Sequence, residues 1–323
     1  MSDFGFESTA DQVLEGKDLS GKTAFVTGGY SGLGQETARA MAARGAHVII
    51  AGRDLSRAEA AAESIRDAVP DAQVDTIRCD LASLEAVRAC GSEARERFER
   101  IDLLINNAGV MACPHETTAD GFEMQFGTNH LGHFLLTREL MPLVENSAAA
   151  GNDARIVNLS SRAHHIDKVH LDDPNFENRE YQKWASYGQS KTANVLFTVG
   201  LENRFSGKGI TSVAVHPGGI QTNLGRHMED EDRAWMRKRM KAETDEDMTN
   251  AFKSIPQGAA TTCYAATDPG LQGHGGVYCE DCHVAPVDDE SSEGGVRSYA
   301  VDPQAADALW ALSERMVGVD FRP

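Results

Sequence analysis

Short apolar runs alternate with longer amphipathic stretches along most of the chain. The runs Thr23–Thr27, Val48–Ala51, Val74–Cys79, Leu103–Ile105, Ile156–Leu159 and Thr211–Val215 carry few polar residues, as strands buried on both faces do. Between and after them, apolar positions return at helical spacing near 33–44, 56–69, 83–98, 119–146, 184–206 and 256–267. Strand and helix in strict alternation predict an α/β protein built on a doubly wound parallel sheet, with helices on both faces. Val277-Tyr278 adds a short seventh strand, and 303–317 a closing helix with Asp302 as cap before Pro303.

Two stretches break this rhythm, both after the fifth strand. Residues 163–183 are too polar for core, and 223–253 form a charged helical segment carrying Trp235, Met236, Met240 and Met248. In a doubly wound sheet ligands sit at the carboxyl ends of the strands, where these segments emerge. Both are therefore candidates for a substrate lid, although the methionines would equally serve to pack a helix down. No repeat, low-complexity tract or linker divides the chain, so residues 1–323 are expected to form one domain.

Composition narrows the class of partner. With 41% hydrophobic residues the chain can bury a full core, and a formal net charge of -18 argues against nucleic acid and anionic membrane surfaces. The first residues show neither a basic nor an apolar leader region, and no apolar window is long enough to span a bilayer. A cytoplasmic location with no membrane association is expected, and the six cysteines are then expected to be thiols.

The first strand runs into the glycine turn TGGYSGLG (27–34), where Gly28, Gly32 and Gly34 precede a helix. Residues without a β-carbon let backbone approach a pyrophosphate, and the helix start supplies free N–H groups for it. At the end of the second strand Gly52 leaves room and Arg53 offers a fork for a 2′-phosphate, where a carboxylate would suit free ribose hydroxyls. NADP(H) is thereby favoured over NAD(H), while a solvated Arg53 beside a helix-capping Asp54 is the plainer alternative.

Tyr187 and Lys191 stand at i and i+4, on one helix face. An ammonium beside a buried phenol favours the phenolate and lowers its pKa from about 10 toward neutrality, giving an acid/base for cellular pH.

Together these motifs resemble the short-chain dehydrogenase/reductase family over residues 20–285. The resemblance is carried by TGGYSGLG, Cys79-Asp80-Leu81, Asn106-Asn107-Ala108-Gly109, Asn129, Ser160-Ser161, Tyr187-x-x-x-Lys191, and Pro217-Gly218 with Thr222. It is closest to the retinol-dehydrogenase-like branch, through NNAGVM (106–111), TNHLGHFLLT (128–137), LSSRAHH (159–165) and KTANVLF (191–197). It implies a Rossmann fold and an oxidoreductase interconverting an alcohol and its ketone or aldehyde on a moderately large apolar small-molecule substrate. Tyr187 is the acid/base and Ser161 bonds the reacting oxygen. Lys191 tunes the phenol and grips the nicotinamide ribose, and Asn129 orders a water. Gly28, Ser31, Gly32, Leu33 and Gly34 take the pyrophosphate side, and Asp80 and Leu81 hold the adenine. Asn107, Ala108 and Gly109 line the groove, while Pro217, Gly218, Ile220 and Thr222 cover the nicotinamide. The resemblance also implies a homodimer or homotetramer paired through helices 119–146 and 184–206. Consecutive strand residues face opposite ways, so only one of Ser160 and Ser161 should face the groove, and the resemblance implies the second, Ser161.

Two other readings stay open. Light-dependent protochlorophyllide reductases resemble this branch and share the tyrosine and lysine, so reduction of a carbon–carbon double bond is an alternative. A dinucleotide sensor or scaffold without turnover is another. Cys279-Glu-Asp-Cys282-His283 matches a haem-attachment pattern, but two thiols after a late strand are expected, and no metal. His164, His165 and His170 are expected to line a loop or pocket wall, and His216 to be buried scaffold.

Overall fold

The computed structural model describes residues 3–239, 244 and 252–323. The apolar runs form β1 (Thr23–Thr27), β2 (His47–Gly52), β3 (Val74–Arg78), β4 (Leu103–Asn106), β5 (Ala154–Leu159) and β6 (Ile210–His216). β7 (Val277–Glu280) and the two-residue β8 (His283–Val284) follow. They make one sheet in the order β3-β2-β1-β4-β5-β6-β7-β8, parallel except where β8 folds back on β7. The strand beyond the expected seven exists because the chain reverses at once after Glu280.

Helices occupy both sheet faces: α1 (Ala10–Val13), α2 (Gly32–Ala42), α3 (Leu55–Ala68), α4 (Leu84–Arg97), α5 (Met124–Phe126), α6 (Gly132–Ala149), α7 (Lys183–Phe205), α8 (Asp230–Arg239), α9 (Ile255–Thr267) and α10 (Pro303–Val317). Strand side chains alternate between two cores. Phe25, Ile49, Leu104 and Ile156 join the face covered by α4, α6, α7 and α10. Ala24, Val26, Ile50, Ile105 and Val157 join the face covered by α1, α2, α3 and α9. Helix starts are fixed locally: Asp54, Ser83, Ser254 and Asp302 each accept a backbone N–H, worth about 1 kcal/mol apiece.

The helix expected over 119–146 starts later. Thr117 bridges Glu123 in a tight reversal, and the Glu123 carboxylate caps Gln125 and Phe126. A π-helical turn, Gly127–Leu131, then precedes α6. In the 163–183 segment a short 3-10 turn, Arg162–His165, leads into a loop that buries Phe176. In 223–253 the structure shows a 3-10 turn, Asn223–His227, and α8, whereas Met240 and Met248 lie outside the described residues.

The face expected to receive a partner subunit is covered from within. Every residue of α7 from Ser186 to Leu201 is buried in the single chain. Trp310 of α10 lies so close that a β-carbon at Gly200 would stand 2.8 Å from its ring. In the single chain α10 thus packs on α7, one of the helices through which pairing is expected.

Candidate active site

β1 and β4 are neighbours, yet the chain leaves them toward opposite faces, into α2 and into α5–α6. Their carboxyl ends open into a crevice. Asn107 ties its two lips together, donating from Nδ2 to the Thr27 carbonyl at 2.7 Å, while the Asn107 and Ala108 N–H groups donate to Thr27 Oγ1. Below, His133 bridges Thr27 Oγ1 and the Asn129 carbonyl, both at 2.9 Å. Burial holds its imidazole neutral, with a pKa near 4.

The crevice fits a dinucleotide phosphate. Gly28 and Gly32 have positive φ, and a β-carbon at Gly34 would stand 2.5 Å from the Gly28 carbonyl, so the turn can press flat only with glycine there. Ser31 at the start of α2 makes no side-chain cap, which leaves the first N–H groups of the helix for an anion. Leu33 and Ile220 converge on Gly258 of α9, and Thr222 stands over Gly32, so 217–222 flanks the same crevice. Asp80 accepts from the Ala82 N–H at 3.0 Å, holding the turn before α4, and Leu81 beside it is buried.

At the end of β2 one expectation changes. The space left by Gly52 is filled by the Tyr30 ring, which a β-carbon there would meet at 2.4 Å. Arg57 lies over that ring, 4.9 Å from its centroid, and Arg53 is exposed beside it. The neighbouring carboxylate is occupied elsewhere, because Asp54 caps α3 through Ser56 and the Arg57 N–H.

Past β5, the two serines diverge as strand geometry requires. Ser160 turns inward and donates to the Lys191 carbonyl at 2.8 Å. Ser161 faces the other way: its hydroxyl accepts the Ala163 N–H at 3.1 Å and lies close enough to the Tyr187 phenol to draw its pKa down. Lys191 is almost wholly buried and donates to the Leu159 carbonyl at 3.0 Å, with its ammonium 5.6 Å from the Tyr187 ring centre. Asn129, presented by the π turn, braces Val110 through both its carbonyl and its N–H and bonds Ser190 as well.

The expected lowering of the Tyr187 pKa is not what this geometry produces. Burial pushes the phenol above its ordinary value, and the nearby Ser161 hydroxyl offsets only part of that. Burial likewise pulls Lys191 down to about 8. Both groups lose water together, and desolvation outweighs their mutual interaction.

Several further residues shape the site, and of these Trp184 carried no motif. His164, buried and neutral, bonds the Ser161 carbonyl through Nδ1 at 2.7 Å and accepts the Arg297 N–H at Nε2. Trp184, one helical turn before Tyr187, packs edge-on against it and stacks on Trp235 of α8 at 4.8 Å. Its i−3 spacing to Tyr187 was the one signal available in the sequence. His216 is buried and accepts the Arg162 N–H. Cys279 and Cys282 are buried thiols, and His283 faces solvent. Among the described residues no group of three or more His, Cys, Asp or Glu is placed to hold a metal, and no helix is long and apolar enough to cross a membrane.

A glycine-lined crevice at the switch point of a doubly wound sheet, with serine, tyrosine and lysine at its lip, defines the nicotinamide-dinucleotide oxidoreductase class. The short chain dehydrogenase profile matches residues 22–233, and the chain belongs to that family, in its retinol-dehydrogenase-like branch. It is 41% identical to the short-chain dehydrogenase TIC 32 B, chloroplastic, of Brassica napus, covering 98% of this chain and 95% of that one. It is also 41% identical to human retinol dehydrogenase 13, over 94% and 86% of the two chains. Among solved structures, the Pseudomonas aeruginosa RhlG/NADP complex is similar at TM-score 0.63 and 25% identity, over 81% and 94% of the chains. The Brucella melitensis 3-ketoacyl-(acyl-carrier-protein) reductase complexed with NADH is similar at TM-score 0.63 and 26% identity, over 81% and 96%. The family binds a nicotinamide dinucleotide.

Proposed function

We propose that this oxidoreductase interconverts an alcohol and its ketone or aldehyde with NADP(H), on an apolar substrate lying under α8. The observation that carries the reading is the buried Tyr187 phenol with the Ser161 hydroxyl near it and the Lys191 ammonium enclosed one helical turn away, 5.6 Å from its ring centre. The bound nicotinamide supplies or receives the hydride. The chain's own residues manage the proton. With its pKa raised by burial, Tyr187 stays a neutral phenol at cellular pH and can donate to a carbonyl oxygen as negative charge grows there. Ser161 holds the same oxygen, and the Lys191 charge favours the phenolate left behind. Reduction is thus the direction for which the free protein is prepared.

Preference for NADP(H) is supported by Arg53 and Arg57 at the end of β2 and by the engagement of Asp54 as a helix cap. The partner is a small-molecule alcohol or carbonyl.

The test is a panel of apolar alcohols and carbonyls against NADP(H) and NAD(H), run on wild type, Tyr187→Phe, Ser161→Ala and Ser160→Ala. Carbonyl reduction with NADPH is expected, falling by about 10²–10⁴ in Tyr187→Phe and Ser161→Ala and far less in Ser160→Ala. Saturation of an enone with its carbonyl retained, or wild-type turnover by Ser161→Ala, would defeat the assignment. An NADH preference would remove the role given to Arg53.

A further inference from the structure

The Cys279–Cys282 turn and the residue that ends the second lid candidate meet at one point. We propose that the buried Lys253 and the half-exposed Asp281 form a clasp that positions loop 217–222 against the nicotinamide half of the cofactor. This rests on the reading of 217–222 as the nicotinamide-side loop.

Residues 252 and 253 hold the loop from below. The Lys253 N–H donates to the Gly219 carbonyl at 2.8 Å, and Lys253 bridges Ile220 in parallel register. Gly218 has φ +103°, and a β-carbon there would stand 2.8 Å from Lys253 Cδ and 3.1 Å from Cε. At Gly219 it would stand 2.9 Å from the Phe252 ring. The loop therefore rests on the methylenes of Lys253 and on Phe252.

The ammonium then fixes the height of that support. The Lys253 side chain is 1% exposed, and its Nζ pairs with Asp281 Oδ1 at 2.5 Å under the Phe6 ring, 4.7 Å from the centroid. Packing alone calls for an apolar side chain, because burying an ammonium costs several kcal/mol before its partner is counted. A charge adds direction.

Asp281 cannot drift to follow a moving lysine. Asp281 and Cys282 have φ +45° and +59°, two consecutive left-handed residues without glycine in the turn joining β7 to β8. Turns of this kind favour Asn-Gly or Asp-Gly. Here the strained form is pinned from α9: the Cys282 N–H donates to Thr261 Oγ1 at 3.3 Å, and the thiol lies 3.9 Å from the same oxygen. Strain of this kind persists only where surrounding contacts over-determine it. The cysteine pattern in the sequence thus belongs to an anchor for Lys253. Both partners act through the loop, so they are positioning residues.

The experiment compares NADPH with 2′-phospho-ADP-ribose, which keeps the adenosine half and lacks the nicotinamide ring. Both are titrated against wild type, Lys253→Met, Asp281→Asn and Gly218→Ala, with circular dichroism to confirm folding. Lys253→Met and Asp281→Asn are expected to bind NADPH about tenfold more weakly and the fragment unchanged. Equal weakening for both ligands, or none, would overturn the clasp. If Gly218→Ala alone weakens NADPH, the loop reading stands and the clasp falls; if Gly218→Ala also spares NADPH, the loop reading fails and the clasp with it. Should Lys253→Met not fold, Asp281→Asn, which keeps the shape of the turn, carries the comparison.

Discussion

Lys191 is held where an ammonium is costly, and that cost can be measured. Burial takes its pKa from 10.5 to about 8. Below pH 8 both folded and unfolded chains carry the proton, and the fold bears the full desolvation penalty. Between about pH 8 and 10.5 the folded chain releases it first, so this group's contribution to stability rises with pH. Lys191→Met should therefore be more stable than wild type at pH 7, with the gap narrowing by pH 9.5, and should lose turnover. Denaturant midpoints at the two pH values measure this, and the wild-type difference cancels other titrating groups. No gain at pH 7 would show that the ammonium is better solvated than its burial implies. The Tyr187–Lys191 pairing was legible because it depends only on spacing along one helix. The phenol's raised pKa was not, because burial comes from elements distant in sequence.

At the level of elements, α8 is buttoned to the start of the helix that carries the phenol. Asp232, 3% exposed, accepts from Lys183 Nζ at 2.6 Å and from Trp184 Nε1 at 2.9 Å, and Trp235 stacks on Trp184. Asp232→Ala should release α8, raising KM for large apolar substrates about tenfold with less change in kcat. It should also alter tryptophan fluorescence, since the stacked pair separates. Unchanged KM and emission would mean that other contacts hold α8. The strands and long helices were legible because each carries its own period. The π turn at Gly127–Leu131 was hidden, since a single wide turn inside a helical stretch leaves no period of its own. β8 was hidden too, since two residues show no period.

For the whole molecule, the C-terminal helix decides which surfaces exist. Phe134, Phe197, Phe205, Trp310 and Phe321 form one aromatic cluster between α6, α7 and α10, each contact adding about 0.5–1.5 kcal/mol beyond burial. Removing residues 302–323 should bare that cluster and cause self-association or insolubility, seen by light scattering against the 34.9 kDa intact chain. A truncated chain that stays dispersed with an unchanged Tm would show α10 to be dispensable. The doubly wound parallel sheet was legible from the alternation of elements, as was the crevice it creates. That α10 lies on α7 was not, because an amphipathic stripe states that a face is buried and never against what.

The enclosure of α7 also bears on how the protein can be altered. Along Ser186–Leu201 every side chain has neighbours, so a change aimed at a new substrate would disturb packing wherever it fell. Libraries seeking new specificity belong instead on 163–183 and 223–231, where many residues are exposed or half-exposed and can vary at less cost to the packing.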